Sequence, residues 1–395
     1  MDRTTEPALL PPWNDITLPA LLIRQAAEDP DAVFWRDCPG REAWNGVEPR
    51  HLTAANALAC TRFLAAQLST LGVQRGDTVL LLLANIVEFP MAVIACAMAG
   101  AVPLVMPVDE KVETLRAAAE KLGVTTILTT AKVGDVAIGD KARQVAAKVL
   151  TIRCVAGFGF DLPDGVVSLE GWSDEDIMPA EPAEPASGDI ALVTIMRAEG
   201  LLVPARRSHA QLIAEALAVQ ASLGGADFGL LVNLLHPGSA GSFAGSHGLS
   251  LVAGRPLGLV GPYAREALHG QLNHAEAPLL LVPGHFFTRG EASAFEALEG
   301  TPMIAFSRRG DTEALATLPG TALARIIAVD ERAIVALPAA AATAETLASG
   351  QPAHPHKGLL PSSTLWLGTT ESGDWLGFGA ARIGEPASGS ASQAA

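Results

Sequence analysis

Leu71-Gly-Val-Gln-Arg-Gly-Asp-Thr-Val-Leu-Leu-Leu-Leu-Ala-Asn85 is the run from which the architecture can be read. Gly72 stands where an amphipathic helix over 54–71 must end, because glycine tolerates the left-handed backbone that closes a helix. Arg75-Gly76-Asp77 then turns the chain, and 78–83 follows as a run that is apolar after its threonine. A run with no polar face reads as a strand covered on both sides. That is the habit of parallel sheets lying between helices.

The same alternation extends in both directions. Strands are expected at 78–83, 124–129, 149–155, 190–195, 228–234, 256–260, 278–282, 324–329 and 363–367. Helices are expected near 54–71, 110–122, 209–223, 263–273, 311–317 and 338–349. Met91–Val108 holds eighteen residues without a charge, long enough to raise the question of a membrane span. Gly100, Pro103 and Pro107 break it into a helix over 87–99, a turn and a buried strand over 101–106, so no span is expected. Ser173–Gly188 is acidic and proline-rich and reads as a linker. It would divide a first α/β subdomain (1–172) from a second (189–388), with 389–395 a small, polar tail.

Composition narrows the classes of function. Apolar residues make up 49% and charged residues 17% of the 395, which suits a large buried core. The net charge of −15 argues against nucleic acid or an anionic membrane surface as partner. Cys38, Cys60, Cys96 and Cys154 show no C-x-x-C pairing, and Cys60 and Cys96 fall in apolar helical patterns, so buried free thiols in a reducing cytoplasm are expected. The polar start Met1-Asp-Arg-Thr-Thr-Glu lacks the apolar core of a signal peptide. The histidines have no zinc-site spacing.

Several segments in register then point to one family. Leu71–Asn85, Glu88-Phe-Pro and Ala99-Gly-Ala-Val-Pro103 resemble the opening of an AMP-forming adenylating enzyme, the superfamily of acyl- and aryl-CoA synthetases, luciferases and peptide-synthetase adenylation domains. Asp189-Ile-Ala and Ser208-His209 resemble the flanks of its phosphate loop. Leu367-Gly-Thr-Thr-Glu-Ser-Gly373 resembles its second nucleotide motif, and Ile383-Gly-Glu-Pro-Ala-Ser-Gly389 the element after it. The resemblance implies an α/β fold: two stacked sheet-and-helix subdomains of the acyl-CoA synthetase large domain. The C-terminal small domain, with its hinge and catalytic lysine, is expected to be absent, because the resemblance stops at Gly389.

Between its flanks the phosphate loop is degenerate. Holding a triphosphate takes backbone N–H groups in a glycine-allowed turn, hydroxyl donors and a cation. Here the donor positions become Met196, Arg197, Ala198 and Glu199, the lysine falls near Val203 or Pro204, and Gly200 is the one glycine left. At an effective dielectric of about 20, a like charge such as Glu199 at about 4 Å costs about 4 kcal/mol. Arg197, Arg206 and Arg207 offer an alternative source of positive charge, but the reading preferred is a solvated strand-to-helix loop and no catalytic residues.

The second motif is better kept. The resemblance implies that Gly368, Thr369, Thr370 and Glu371 face a nucleotide, Thr370 on the α-phosphate and Glu371 on Mg²⁺, with Leu367 in place of an adenine-stacking aromatic. AMP or ATP with Mg²⁺ is therefore the cofactor to consider. The glycine-serine run Pro237–Gly248 would lie beside the acyl pocket, with His236, Gly238 and Ser246 lining it. A rival reads Ala244-Gly-Ser-His-Gly248 as a nucleophile elbow with Ser246 attacking, backed by Asp311 or Asp330 and His354 or His356. Ser246 does not follow the strand directly, as an elbow requires. The functional expectation is an impaired acyl-CoA synthetase-like protein that binds a small acyl or carboxylate ligand, a nucleotide or a protein partner, as a homo- or hetero-oligomer. Alternatives are an active AMP-forming acid–CoA ligase completed by a separate chain, and a structural subunit paired with an active homologue.

Overall fold

The computed structural model describes residues 15–177, 183–198, 201–223, 228–238, 242–261, 265–273, 275–283, 301–308, 323–329, 333–338, 364–370, 373–379 and 382–383. Its helices are α1 (Leu18–Glu28), α2 (Arg41–Asn45), α3 (Ala54–Thr70), α4 (Glu88–Met98), α5 (Val112–Leu122), α6 (Ile138–Ala146), α7 (His209–Ser222), α8 (Leu249–Ala253) and α9 (Arg265–Leu272). The first nine strands are β1 (Val33–Asp37), β2 (His51–Thr53), β3 (Thr78–Leu82), β4 (Val102–Val105), β5 (Val124–Thr130), β6 (Cys154–Phe158), β7 (Val167–Ser168), β8 (Ile190–Ala198) and β9 (Leu201–Ser208). The rest are β10 (Leu230–Asn233), β11 (Leu257–Leu259), β12 (Pro278–Pro283), β13 (Met303–Arg308), β14 (Leu323–Val329), β15 (Ala333–Pro338), β16 (Thr364–Thr370), β17 (Gly373–Gly379) and β18 (Arg382–Ile383).

These strands make two sheets, as the α/β reading requires. One has eight strands in the order β18-β9-β8-β4-β3-β5-β6-β7, parallel from β8 to β7 and antiparallel where β9 and β18 extend it. The other has ten, in the order β16-β17-β15-β14-β13-β12-β10-β11-β1-β2. Strands β1 and β2 precede the acidic segment at 173–188 yet pair into the ten-stranded sheet, while β8 and β9 follow it and extend the eight-stranded one. Each sheet therefore draws on both halves of the chain.

Alternation along β3 shows how the layers stack. Val79 and Leu81 join a core with α1, α3, α4 and the strands β10, β11 and β12, so that core fills the space between the sheets. Leu80 and Leu82 point the other way, onto Leu115, Ala118 and Ala119 of α5 and Ala142 and Val145 of α6. Side chains of a strand alternate between faces, so a run apolar throughout can seal two cores. All eleven residues of α4 are buried, which accounts for its lack of charge after Glu88 without a membrane. The Met91–Val108 run divides into α4 and β4, and among the described residues no helix is long and apolar enough to cross a bilayer.

Cys60 corrects an expectation. It is exposed, because α3 turns Ala57, Thr61 and Leu64 inward and carries Cys60 round to its outer face. Cys38 and Cys96 are buried, and burial pushes both thiols up. The expected helices at 311–317 and 338–349 lie outside the described residues.

Candidate functional site

The segment between the phosphate-loop flanks is not a solvated strand-to-helix loop. It is an antiparallel hairpin, with β8 and β9 registered from Ile190↔Ser208 to Ala198↔Leu201, and Glu199 and Gly200 between them lie outside the described residues. Three of the positions that stand for the family's donors are strand residues: Met196 pairs with Val203, Arg197 with Leu202 and Ala198 with Leu201. Two apolar runs separated by a Glu-Gly pair are a hairpin signal, and flanks that resemble those of a phosphate loop hide it.

The helix that follows is sealed as well. Helix N-termini bind anions through N–H groups that have no partner inside the helix. At α7 those groups are taken. The His209 N–H donates to Asp189 O at 3.2 Å and the Ala210 N–H to Ser187 O at 2.9 Å. Ser208 Oγ accepts the Gln211 N–H at 3.2 Å while Gln211 Oε1 accepts the Ser208 N–H at 2.9 Å. This reciprocal pair is a capping box, legible as Ser-x-x-Gln at 208–211.

Of the arginines, Arg207 is already engaged. Arg207 is fully buried, and its Nε donates to both carboxylate oxygens of Glu215 at 3.0 and 3.1 Å. A charge committed in the core to a fixed partner is not free to meet a phosphate. Arg206 sits opposite Arg382 in the β9–β18 ladder. The side chain of Arg197 lies outside the described residues.

The second motif also forms a hairpin strand. Gly368, Thr369 and Thr370 pair with Trp375, Asp374 and Gly373 across β16–β17. Glu371, the expected Mg²⁺ ligand, lies outside the described residues.

Of the three residues expected around the acyl pocket, His236 and Gly238 stay together and Ser246 lies apart. His236 is exposed and its Nδ1 accepts the Gly238 N–H at 3.0 Å; Gly238 packs so closely on Pro107 that a Cβ would come within 3.0 Å of it. Ser246 instead lies in the core, on a π-helical turn over Phe243–Gly248. Its hydroxyl donates to Ser242 O and accepts the Asn233 Nδ2–H at 3.1 Å. With that proton committed, the 2.9 Å approach to His247 makes Nδ1 of His247 the donor. His247 stacks on Phe243 with centroids 5.4 Å apart and meets the edge of Phe89, and burial brings its pKa down to about 3. A serine so enclosed, whose histidine neighbour donates to it, has no base to activate it among the described residues, outside which Asp311, Asp330, His354 and His356 lie. The nucleophile-elbow reading gains no geometric support.

One polar cluster has no mark in the sequence, because its members are far apart in the chain. Arg41 is fully buried between Asp37 at 2.5 Å and Glu88 at 2.9 Å. Arg50 joins Glu88 at 3.1 Å to Glu170 at 2.6 Å. Asp37 also accepts the Val87 N–H and the Arg50 N–H, both at 3.0 Å. Burial, together with Glu88, pushes its pKa up to about 6 against the pull of Arg41. The cluster ties β1 to the start of α4, and so one sheet to the helix layer covering the other.

Comparison with known proteins agrees with this geometry. The sequence model of the AMP-binding enzyme family matches residues 22–194. The 4-coumarate–CoA ligase 1 of Solanum tuberosum is 31% identical over 116 residues, 28% of this chain and 21% of that enzyme. The aligned stretch thus spans about a fifth of that curated relative. The benzoate CoA ligase of Burkholderia xenovorans LB400 superposes with a TM-score of 0.63 at 15% identity, over 91% of this chain and 68% of that one. An acyl-CoA synthetase of Brucella canis gives 0.64 at 15%, over 91% and 64%. The resemblance to AMP-forming acyl- and aryl-CoA ligases holds in sequence over the N-terminal portion and in fold over most of the chain.

Proposed function

We propose that this chain is a catalytically impaired protein of the acyl-CoA synthetase type, which binds a small acyl or carboxylate ligand, an adenine nucleotide or a protein partner without forming an adenylate. The zipped β8–β9 hairpin carries the reading. Adenylation sets free pyrophosphate, so the β- and γ-phosphates must be held while the α-phosphate is attacked. The hairpin puts strand where the grip would be, the capping box occupies the helix N-terminus, and Arg207 is engaged in the core. Each charge-assisted hydrogen bond that a phosphate forgoes weakens binding by about 1.5–3 kcal/mol. Thr370 and Glu371 would then be left to address an α-phosphate and Mg²⁺, which favours AMP over ATP.

The purified chain, offered ATP, Mg²⁺ and a panel of aliphatic and aromatic carboxylic acids, is expected to release no acid-dependent pyrophosphate. Robust release would overturn the impairment; the second reading, an AMP-forming acid–CoA ligase completed by a separate chain, is the one that the family match and the named ligases favour.

A further inference from the structure

His209 closes the phosphate-loop motif in sequence, and in the fold it does a different task. We propose that His209 is an acid-released latch that holds the N-terminal helix α1 against the exit of the β8–β9 hairpin. The first turn of α1 shows the need. Thr17 Oγ1 accepts the Ala20 N–H at 3.3 Å, Thr17 O accepts the Leu21 N–H at 3.0 Å, and Pro19 has no N–H to place. Only the Leu18 N–H lacks an acceptor nearby in sequence, and His209 Nδ1 supplies one at 3.2 Å from 191 residues away.

Nδ1 accepts, so the ring is neutral and its proton sits on Nε2, which is buried without a hydrogen-bond partner among the described residues. A second proton would go to Nδ1 itself. It would replace an acceptor by a donor facing the Leu18 N–H, and set a positive ring against the positive end of a helix. His209 is 1% exposed, so little water is at hand to stabilise the charged ring. Burial accordingly brings its pKa down to about 4, with Asp189 the acidic group acting in the opposite direction. Its other neighbours cannot compensate. Ser208 and Gln211 are engaged with each other, and Glu215 holds Arg207. On α1, Thr17 is the cap, while Arg24 and Gln25 lie two turns along and bond Leu251 O. The sign follows from a depressed histidine: the latch's contribution is whole above the ordinary value of about 6.5 and is lost as pH falls towards 4.

Hydrogen exchange of the full chain at a series of pH values from 7 to 4, corrected for intrinsic rates, tests this. Peptides covering α1 are expected to lose protection by about tenfold or more, while those covering α5, on the far side of the eight-stranded sheet, keep theirs. His209→Gln, whose amide oxygen accepts without titrating, is expected to flatten the α1 response. A flat response in the unaltered chain, or equal loss in α1 and α5, overturns the proposal. So does an α1 response in His209→Gln that still follows pH. If His209→Gln does not fold, the α1-against-α5 comparison in the unaltered chain decides alone.

Discussion

Two strand ends in the eight-stranded sheet meet opposite fates. After β3 the chain leaves the sheet through Leu83–Val87, and its polar groups are met by residues far away. Val87 N–H donates to Asp37, Asn85 Nδ2 donates to Asn233 O at 2.7 Å and Val260 O at 3.1 Å, and Glu88 meets Arg41 and Arg50. After β8 the chain folds straight back into β9, and its backbone is matched by its own neighbour down to Ala198↔Leu201. An open turn recruits whatever comes near, be it a distant side chain or a ligand. At the second strand end the described backbone is matched within the hairpin itself, and the proposed loss of the phosphate grip rests on that difference.

The largest effect is expected at the open turn. Glu88→Ala takes one carboxylate from each of two guanidiniums, leaving the buried Arg41 with Asp37 and Arg50 with Glu170, and is expected to cost about 3–5 kcal/mol, read as a lower urea midpoint. Asn85→Ala removes its side-chain donor from the buried Val260 carbonyl and from the Asn233 carbonyl, which keeps the Val260 N–H, and is expected to cost about 1–3 kcal/mol by the same measurement. If both variants unfold with the unaltered chain, the β3 turn is not the tie between sheets described here.

Smaller effects belong to the zipped end. Ser208→Ala removes half of the capping box and is expected to cost about 1 kcal/mol. Leu201→Ser, at a tip position 65% exposed, is expected to stay within about 0.5 kcal/mol of the unaltered chain. A loss at Leu201 as large as that at Glu88 would mean that the hairpin tip is packed rather than a bare turn, and would blur the comparison.

Acid should act on the two buried histidines in one direction and on Asp37 of the open turn in the other. His209 and His247 have pKa values brought down by burial to about 4 and about 3, so each disfavours the proton in the folded state. Their contribution is complete above about pH 6.5 and falls away as pH drops towards those values. Asp37 runs the other way: its carboxyl is raised to about 6, so its contribution is present below the ordinary carboxylate range and declines as pH rises through 6.

Much of the fold could be read from the chain because buried parallel strands leave a plain mark. The apolar runs at 78–83, 124–129 and 278–282 appear as β3, β5 and β12 nearly residue for residue. Two-sided burial permits little else at those positions. The helix α1 is hard to see because its proline at the second position and mixed polar face hide a stripe made only of Leu18, Leu21, Leu22 and Gln25. Strand β9 is masked because Leu201-Leu-Val-Pro-Ala carries a proline and lies between phosphate-loop flanks, although the Ser-x-x-Gln beyond it marks where the helix starts. The Asp37–Arg41–Glu88–Arg50–Glu170 cluster has no local signature, since only Asp37 and Arg41 lie within a helical turn of each other. Ser246 and His247 look exposed and reactive in a glycine-rich run, and the π-helical turn takes both into the core.

The claim that the β- and γ-phosphate grip is gone is tested most directly by titrating the full chain with ATP and with AMP, each with Mg²⁺, in a calorimeter. AMP is expected to bind at least as tightly as ATP, because the described positions that stand for the β- and γ-phosphate grip fall on the β8–β9 hairpin and the capped start of α7. ATP binding tighter than AMP by about tenfold, or about 1.4 kcal/mol, would contradict the account.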